Sequence, residues 1–322
     1  MLIPPLRLSI ATIRFVLIAL SLAIFDIPSL RAEVFHGTVE VTGTNNATTA
    51  LTPVALSDPG IGFSSGNFGD YAVTLPGGLG VNEGVLIAAI AELESAATFP
   101  GQPTLAATDG LFTPNEYSVS VFASVTGLNV EANADFAFAW FDHDDWLCGT
   151  MRNATNNGPA SSLIASTGIN LGSEFIDPAG TGGEYDLDLT ALNGSSSDGI
   201  LLVNGAKNED NYALSRANND GTFTIFCRDN FNDSFLENDP VNFVYLSKND
   251  IGTDGLVALG RIEQDSDVQV GGGTFTTIGA NGQILLQILG HSPETGTLLV
   301  SHEGGGTVND DNLLSFEWRP DF

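Results

Sequence analysis

Hydrophobic and polar residues alternate along this chain over short runs. In EYDLDLT, Tyr185, Leu187 and Leu189 fall on one face and Glu184, Asp186 and Asp188 on the other, the period of two of a half-buried strand. Phe136, Phe138 and Trp140 repeat the pattern in DFAFAWFD, with Ala137 and Ala139 between them. Phe223–Phe226 in GTFTIFCRD and Val241–Leu246 in VNFVYLS are rich in β-formers and bounded by turn residues. The middle of the chain thus reads as about six short strands, and the predicted fold is all-β, built from antiparallel β-sandwich or jelly-roll-like units. Val85–Ala97, VLIAAIAELESAA, departs from this by its helical composition.

The pattern also repeats over a longer distance. GDYAVTL from Gly69 is followed by NEGVLIAA from Asn82, GEYDLDL from Gly183 by SDGILLVN from Ser197, and GQILLQI from Gly282 by ETGTLLVS from Glu294. Each copy has a Gly, a strand-like run, a polar turn and a second Gly that opens another apolar run. Self-similarity of this kind predicts tandem units. Three related copies are expected: 33–127, 128–246 and a short, incomplete 247–322, whose open edge would be a docking strand. The repeat makes Val85–Ala88 a strand and leaves 89–97 open between strand and helix. A shared acid-acid-Asn triplet, Glu209-Asp210-Asn211 and Asp310-Asp311-Asn312, reads as a turn cap, with a repeated cation site as the sharper alternative.

The N-terminus carries Arg7 and Arg14, then the apolar run FVLIALSLAIF at 15–25, then SLRA ending at Ala32. These are the parts of a secretory signal peptide over residues 1–32, and the run is short against the roughly 20 residues a membrane span needs. Removing that segment leaves 7 of the 10 basic and 38 of the 39 acidic residues. So acidic a chain repels phosphate backbones and anionic lipid, so no nucleic-acid partner is expected, and the mature chain is expected to have no membrane span. With 43% hydrophobic and 9% aromatic residues it nevertheless has the composition to build a core. Its two cysteines, Cys148 and Cys227, are compatible with one disulfide in an oxidising compartment, with two buried thiols as the alternative.

DGILLVNGAKNEDNYALSRANNDGTFTIFCRDN, with AWFDHDDWLCG upstream and GTLLVSHEGGGTVNDDNLLSFEW downstream, resembles a repeated unit of large exported proteins of aquatic bacteria, especially planctomycetes. The resemblance spans roughly 136–322. It implies secretion and surface display, and it carries over no catalytic residue. A looser similarity links the GEYDLDL and DGILLV pair to the globular heads of tail fibres and complement-type proteins, at the level of fold alone.

Few residue groups pass a chemical test. Gly62-Phe63-Ser64-Ser65-Gly66 matches G-x-S-x-G but leads into a strand rather than a helix, so it reads as a loop. Asp142, Asp144 and Asp145 beside Trp146 form the candidate ligand loop, since an aromatic face with neighbouring carboxylates suits a sugar. Trp140 is expected in the core. Asp229, Asn230, Asn232, Asp233, Glu237 and Asp239 offer oxygen ligands to a hard cation, and calcium is the cofactor they would take; as a plain acidic run they would be a solvated loop face. His36, His143, His291 and His302 are dispersed and read as loop residues.

These features predict a secreted or cell-surface protein that binds or assembles without catalysis, adhesin-like or structural, with an extracellular protein or glycan surface as partner. The alternative is a carbohydrate-binding or sugar-processing module, calcium-dependent through the acidic loops. A third expectation concerns arrangement: three units about a pseudo-threefold axis within one chain, imitating a trimeric head.

Overall fold

The computed structural model describes residues 34–44, 47–66, 69–92, 104–113, 116–125, 128–131, 133–153, 160–171, 175–176, 182–206, 211–228, 236, 239–262, 268–273, 275–280, 283–292, 294–301, 304 and 316–317. The fold is all-β, with no α-helix among the described residues. The first nine strands are β1 (Phe35–Thr44), β2 (Ala47–Leu56), β3 (Gly62–Ser65), β4 (Asp70–Thr74), β5 (Gly84–Glu92), β6 (Thr104–Thr113), β7 (Glu116–Val125), β8 (Leu128–Glu131) and β9 (Phe136–Asp142). Next come β10 (Leu147–Asn153), β11 (Ala160–Ala165), β12 (Phe175–Ile176), β13 (Glu184–Leu187), β14 (Gly199–Gly205), β15 (Tyr212–Ala217), β16 (Phe223–Arg228) and β17 (Val241–Ser247). The last are β18 (Ala258–Ile262), β19 (Val268–Gly273), β20 (Phe275–Ala280), β21 (Gln283–Ile288) and β22 (Phe316–Glu317).

The first nine strands form two sheet segments, β2-β1-β9-β5 and β6-β7-β4-β3, with β8 on β7. The next eight pair in the same succession, β11-β10-β17-β14 and β15-β16-β13-β12. The parallel extends to single residues. His36 N donates to Ser57 Oγ at 2.8 Å and Ser57 N returns to His36 O at 2.9 Å; Cys148 N donates to Ser166 Oγ at 2.9 Å and Ser166 N returns to Cys148 O at 3.0 Å. In both groups a short strand leads through a 3-10 turn, 76–78 or 190–192, to a Gly that opens the next strand. β8 and β9, placed by the 127/128 boundary in the second unit, pair with β7 and with β1 and β5, so they belong with the first group. Residues 85–92 of the helix-like run belong to strand β5, which pairs with β9 over Gly84–Ile90; 93–97 lie outside the described residues.

Period-two alternation explains why the central strands are apolar on both faces. Phe136, Phe138 and Trp140 of β9 enter one core with Leu86, Ala88 and Ile90 of β5 and Tyr71, Val73, Tyr117 and Val119 of the facing sheet. The intervening Ala139 and Phe141, with Val85 and Ile87, pack instead against Cys148, Leu202, Val244 and Leu246. The second group has its own core, including Tyr185, Leu187, Leu201, Val203, Phe243 and Tyr245. Residues 34–322 thus form one compact unit in which two sheets meet back to back.

The remaining strands make two hairpins, β18–β19 and β20–β21, while β22 runs parallel to β5 at Ala91 and Glu92. Leu259 of β18 and Val270 of β19 join the cluster between the two groups.

Candidate functional site

The expected ligand loop folds into a capped turn at the end of β9. Asp142 Oδ1 accepts the backbone N–H groups of Asp144 at 2.7 Å and Asp145 at 2.9 Å, an Asx turn that spends the carboxylate on the loop itself. Trp146 cannot offer a sugar-stacking face. Its side chain is buried in the cluster between the sheets, edge-on to Phe141 with centroids 5.5 Å apart. Trp140 lies in the core, and its indole N–H donates to the Tyr117 hydroxyl at 2.8 Å.

The disulfide expected between Cys148 and Cys227 is not formed. Both cysteines are buried, Cys148 between the two sheet groups and Cys227 inside the second core, so alternation sends them into different packing layers. Burial pushes the Cys148 thiol far above its ordinary pKa, which keeps it protonated and unreactive.

Of the candidate cation ligands, Asp229, Asn230, Asn232, Asp233 and Glu237 lie outside the described residues. Asp239 is buried and accepts a hydrogen bond from Asn211 Nδ2, which ties the start of β15 to the entry of β17. Glu209, Asp210 and the triplet at 310–312 lie outside the described residues, as does His302. Among the described residues no group of three or more His, Cys, Asp or Glu stands close enough to hold a metal. Ser64 sits exposed on strand β3, away from any strand-to-helix turn.

His143 is the buried ionisable group of this loop. Its Nδ1 meets Asn82 O at 3.2 Å and its Nε2 is enclosed with no hydrogen-bond partner among the described residues. Burial therefore lowers its pKa from 6.5, against the opposing pull of the Asn82 carbonyl and of Asp142, Asp144 and Glu83. The unfolded chain then binds a proton that the folded chain refuses, so stability rises with pH in this window. Unfolding midpoints in urea are expected to fall as pH drops from 7 through 6.5 toward the lowered folded value, and a His143→Asn variant is expected to flatten that slope. Equal slopes in the two proteins would show that His143 does not set it.

Sequence reasoning missed a set of buried polar residues in the middle of apolar strands. Asn204 of β14 and Asn242 of β17 stand opposite each other in register and face the first sheet group. Asn204 Oδ1 accepts Ala88 N–H at 2.6 Å. Asn242 Nδ2 donates to Thr108 Oγ1 at 2.6 Å, and its Oδ1 accepts from Thr150 Oγ1 at 2.6 Å; Thr108 Oγ1 in turn donates to Leu86 O at 2.9 Å. Together these side chains satisfy the edge of β5 that β9 does not pair, an edge that burial would otherwise leave costly. The available signal was two Asn residues interrupting GILLVN and VNFVYL, where strand alternation asks for apolar groups.

The surface feature that no internal role explains lies on β20–β21 and the turn after it. Ile278 and Leu289 are each 69% exposed and Leu285 is 38% exposed. Ile278 pairs with Leu285 across the hairpin, so these two side chains share one outward face. No protein-family model, curated protein or solved structure matches the chain.

Proposed function

We propose that the protein is exported and acts at the cell surface by binding and assembly, without chemistry of its own. The observation that carries this reading is the exposed apolar face of the β20–β21 ribbon. Large apolar side chains on a two-stranded ribbon gain nothing from water, and several exposed on one face mark an interaction surface; Ile278 and Leu285 are cross-strand partners, and Leu289 is exposed beyond the Thr276–Gln287 pair. The basic and apolar pattern of residues 1–32 supports export, and the strongly acidic composition supports a soluble skin around that patch. No helix among the described residues is long and apolar enough to cross a membrane. The sugar-binding alternative loses its aromatic platform with the burial of Trp146, and no other observation favours it.

The test is a double variant, Ile278→Asp with Leu289→Asp, in the full chain. Wild type is expected outside the cytoplasm and held at the surface, accessible to added protease on whole cells. The variant is expected to be exported, to melt within about 2 °C of wild type because exposed positions contribute little to stability, and to be released into the medium. Equal retention of the two, or a chain kept in the cytoplasm, would overturn the proposal.

A further inference from the structure

The large apolar side chains that the described residues expose are Val257, Val268, Ile278, Leu285 and Leu289. All of them lie between 257 and 289, in and around β18–β19 and β20–β21, and none belongs to the first seventeen strands. Single apolar residues scattered over a surface need no explanation, whereas this many gathered in one segment do.

Most of the same segment is uncharged. No Asp, Glu, Lys or Arg occurs between Asp267 and Glu294, the longest such run in a chain with 39 acidic and 10 basic residues. β20 and β21 lie wholly inside that run. The most apolar part of the described surface is therefore also free of the carboxylates that cover the rest of the chain.

The ribbon has an inward and an outward face. Phe275, Thr277, Leu286 and Ile288 are half-buried, whereas Thr276, Ile278, Leu285 and Gln287 are exposed. Phe275 seats the inward face on β18–β19, with its ring so close that a Cβ on Gly260 would lie 2.7 Å from it and one on Gly271 3.4 Å. Register then sets the cross-strand pair Ile278 and Leu285 beside the pair Thr276 and Gln287 on the outward face. The bare glycines fix which way the ribbon lies, so its apolar outward row is a property of the fold.

We propose that this outward face binds the same face of a second copy of the chain, forming a two-fold symmetric dimer. The proposal rests on the assembly reading and names the partner.

Charge selects that occupant. A basic partner is drawn to the acidic surface and gains nothing from an uncharged ribbon. Two copies of this chain have the opposite problem. With 39 acids to 10 bases they lack the cations to bridge one another, and they repel wherever their carboxylates meet. The ribbon lets them touch without opposing or burying a charge. Its groups also match themselves: Ile278 and Leu285 of one copy cover those of the other, and the Thr276 hydroxyl and Gln287 amide each supply both a donor and an acceptor across a two-fold axis. Two short strands bury little beside a standard interface, so the dimer is weak and reversible.

Sedimentation velocity of the purified full chain over a range of concentrations tests this. A monomer–dimer equilibrium is expected, and it should tighten between roughly 0.05 and 0.5 M sodium chloride, because screening relieves the repulsion between copies and leaves the apolar contact in place. Ile278→Asp and Thr276→Asp are each expected to weaken it at least about tenfold, since a substitution in a two-fold contact counts twice. Asn219→Asp adds the same charge at an exposed turn between β15 and β16 and is expected to change it less than about twofold. Three results would overturn the proposal: a monomer at every concentration and salt, a dimer that salt weakens, or a dimer that neither ribbon variant disturbs. Surface release of the Ile278→Asp, Leu289→Asp double variant from a chain that is monomeric throughout would leave the assembly reading standing with another partner and remove the self-contact. A salt-strengthened dimer lost in Ile278→Asp, beside unchanged surface retention of the double variant, would keep the self-contact and remove the surface reading.

Discussion

Replacing Asn242 by leucine is expected to destabilise the chain by about 2–5 kcal/mol, read as a lower midpoint in urea unfolding. Asn242 is buried where the two sheet groups meet, and leucine matches its size without its polar atoms. Two groups then lose their partners. The Thr150 hydroxyl, which donates to Asn242 Oδ1 at 2.6 Å, is left without that acceptor, and Thr108 O loses the donor that lies 3.3 Å away. Each buried polar group left without a partner costs about 1–3 kcal/mol, whereas removing both members of a pair is far cheaper. Thr150→Val in the same chain is therefore expected to recover part of the loss, with a coupling of about 1–2 kcal/mol in the double-mutant cycle. A single variant within about 0.5 kcal/mol of wild type would show that water replaces the side chain and that the seam does not depend on it.

That seam marks the limit of what strand patterning reveals. Alternation in EYDLDLT and DFAFAWFD predicts strands, and Glu184–Leu187 and Phe136–Asp142 are strands, because one row of each must enter a core whatever else the chain does. Alternation does not say what covers the other row. Trp146 and Phe141 resemble an exposed aromatic loop beside acids until a second sheet closes over them, which is a contact between residues far apart in sequence. Asn204 and Asn242 fail the apolar pattern for the same reason, since their partners Ala88, Thr108 and Thr150 lie on other strands. The cysteines follow suit: an even number was visible, but the packing layer of each was not.

The glycines that open β5 and β14 are expected to tolerate no side chain. A Cβ on Gly84 would lie 2.4 Å from Phe141 O and 2.4 Å from Trp140 Cζ2; a Cβ on Gly199 would lie 2.4 Å from Leu246 O and 2.5 Å from the Tyr245 ring and hydroxyl. In each case an aromatic ring lies across the bare backbone. Trp140 takes this place in the first group, with Tyr117 Oη 3.4 Å from Gly84 O, and Tyr245 takes it in the second, donating to Ser195 O at 3.0 Å. Neither the ring nor the carbonyl of a paired strand yields cheaply, so Gly84→Ala and Gly199→Ala are each expected to cost about 3 kcal/mol or more, at the upper end for overpacking. Gly62 provides the contrast. Its nearest neighbour to an added Cβ is Thr74 Cβ at 3.5 Å, an ordinary contact, so Gly62→Ala is expected to be neutral or to stabilise by up to about 1 kcal/mol through the unfolded chain. Urea unfolding of the three variants decides the matter. Similar losses at 84 and 199 with none at 62 would mean that the two glycines do the same work in the two groups, whereas a loss at one alone would confine the ring-over-glycine arrangement to that group.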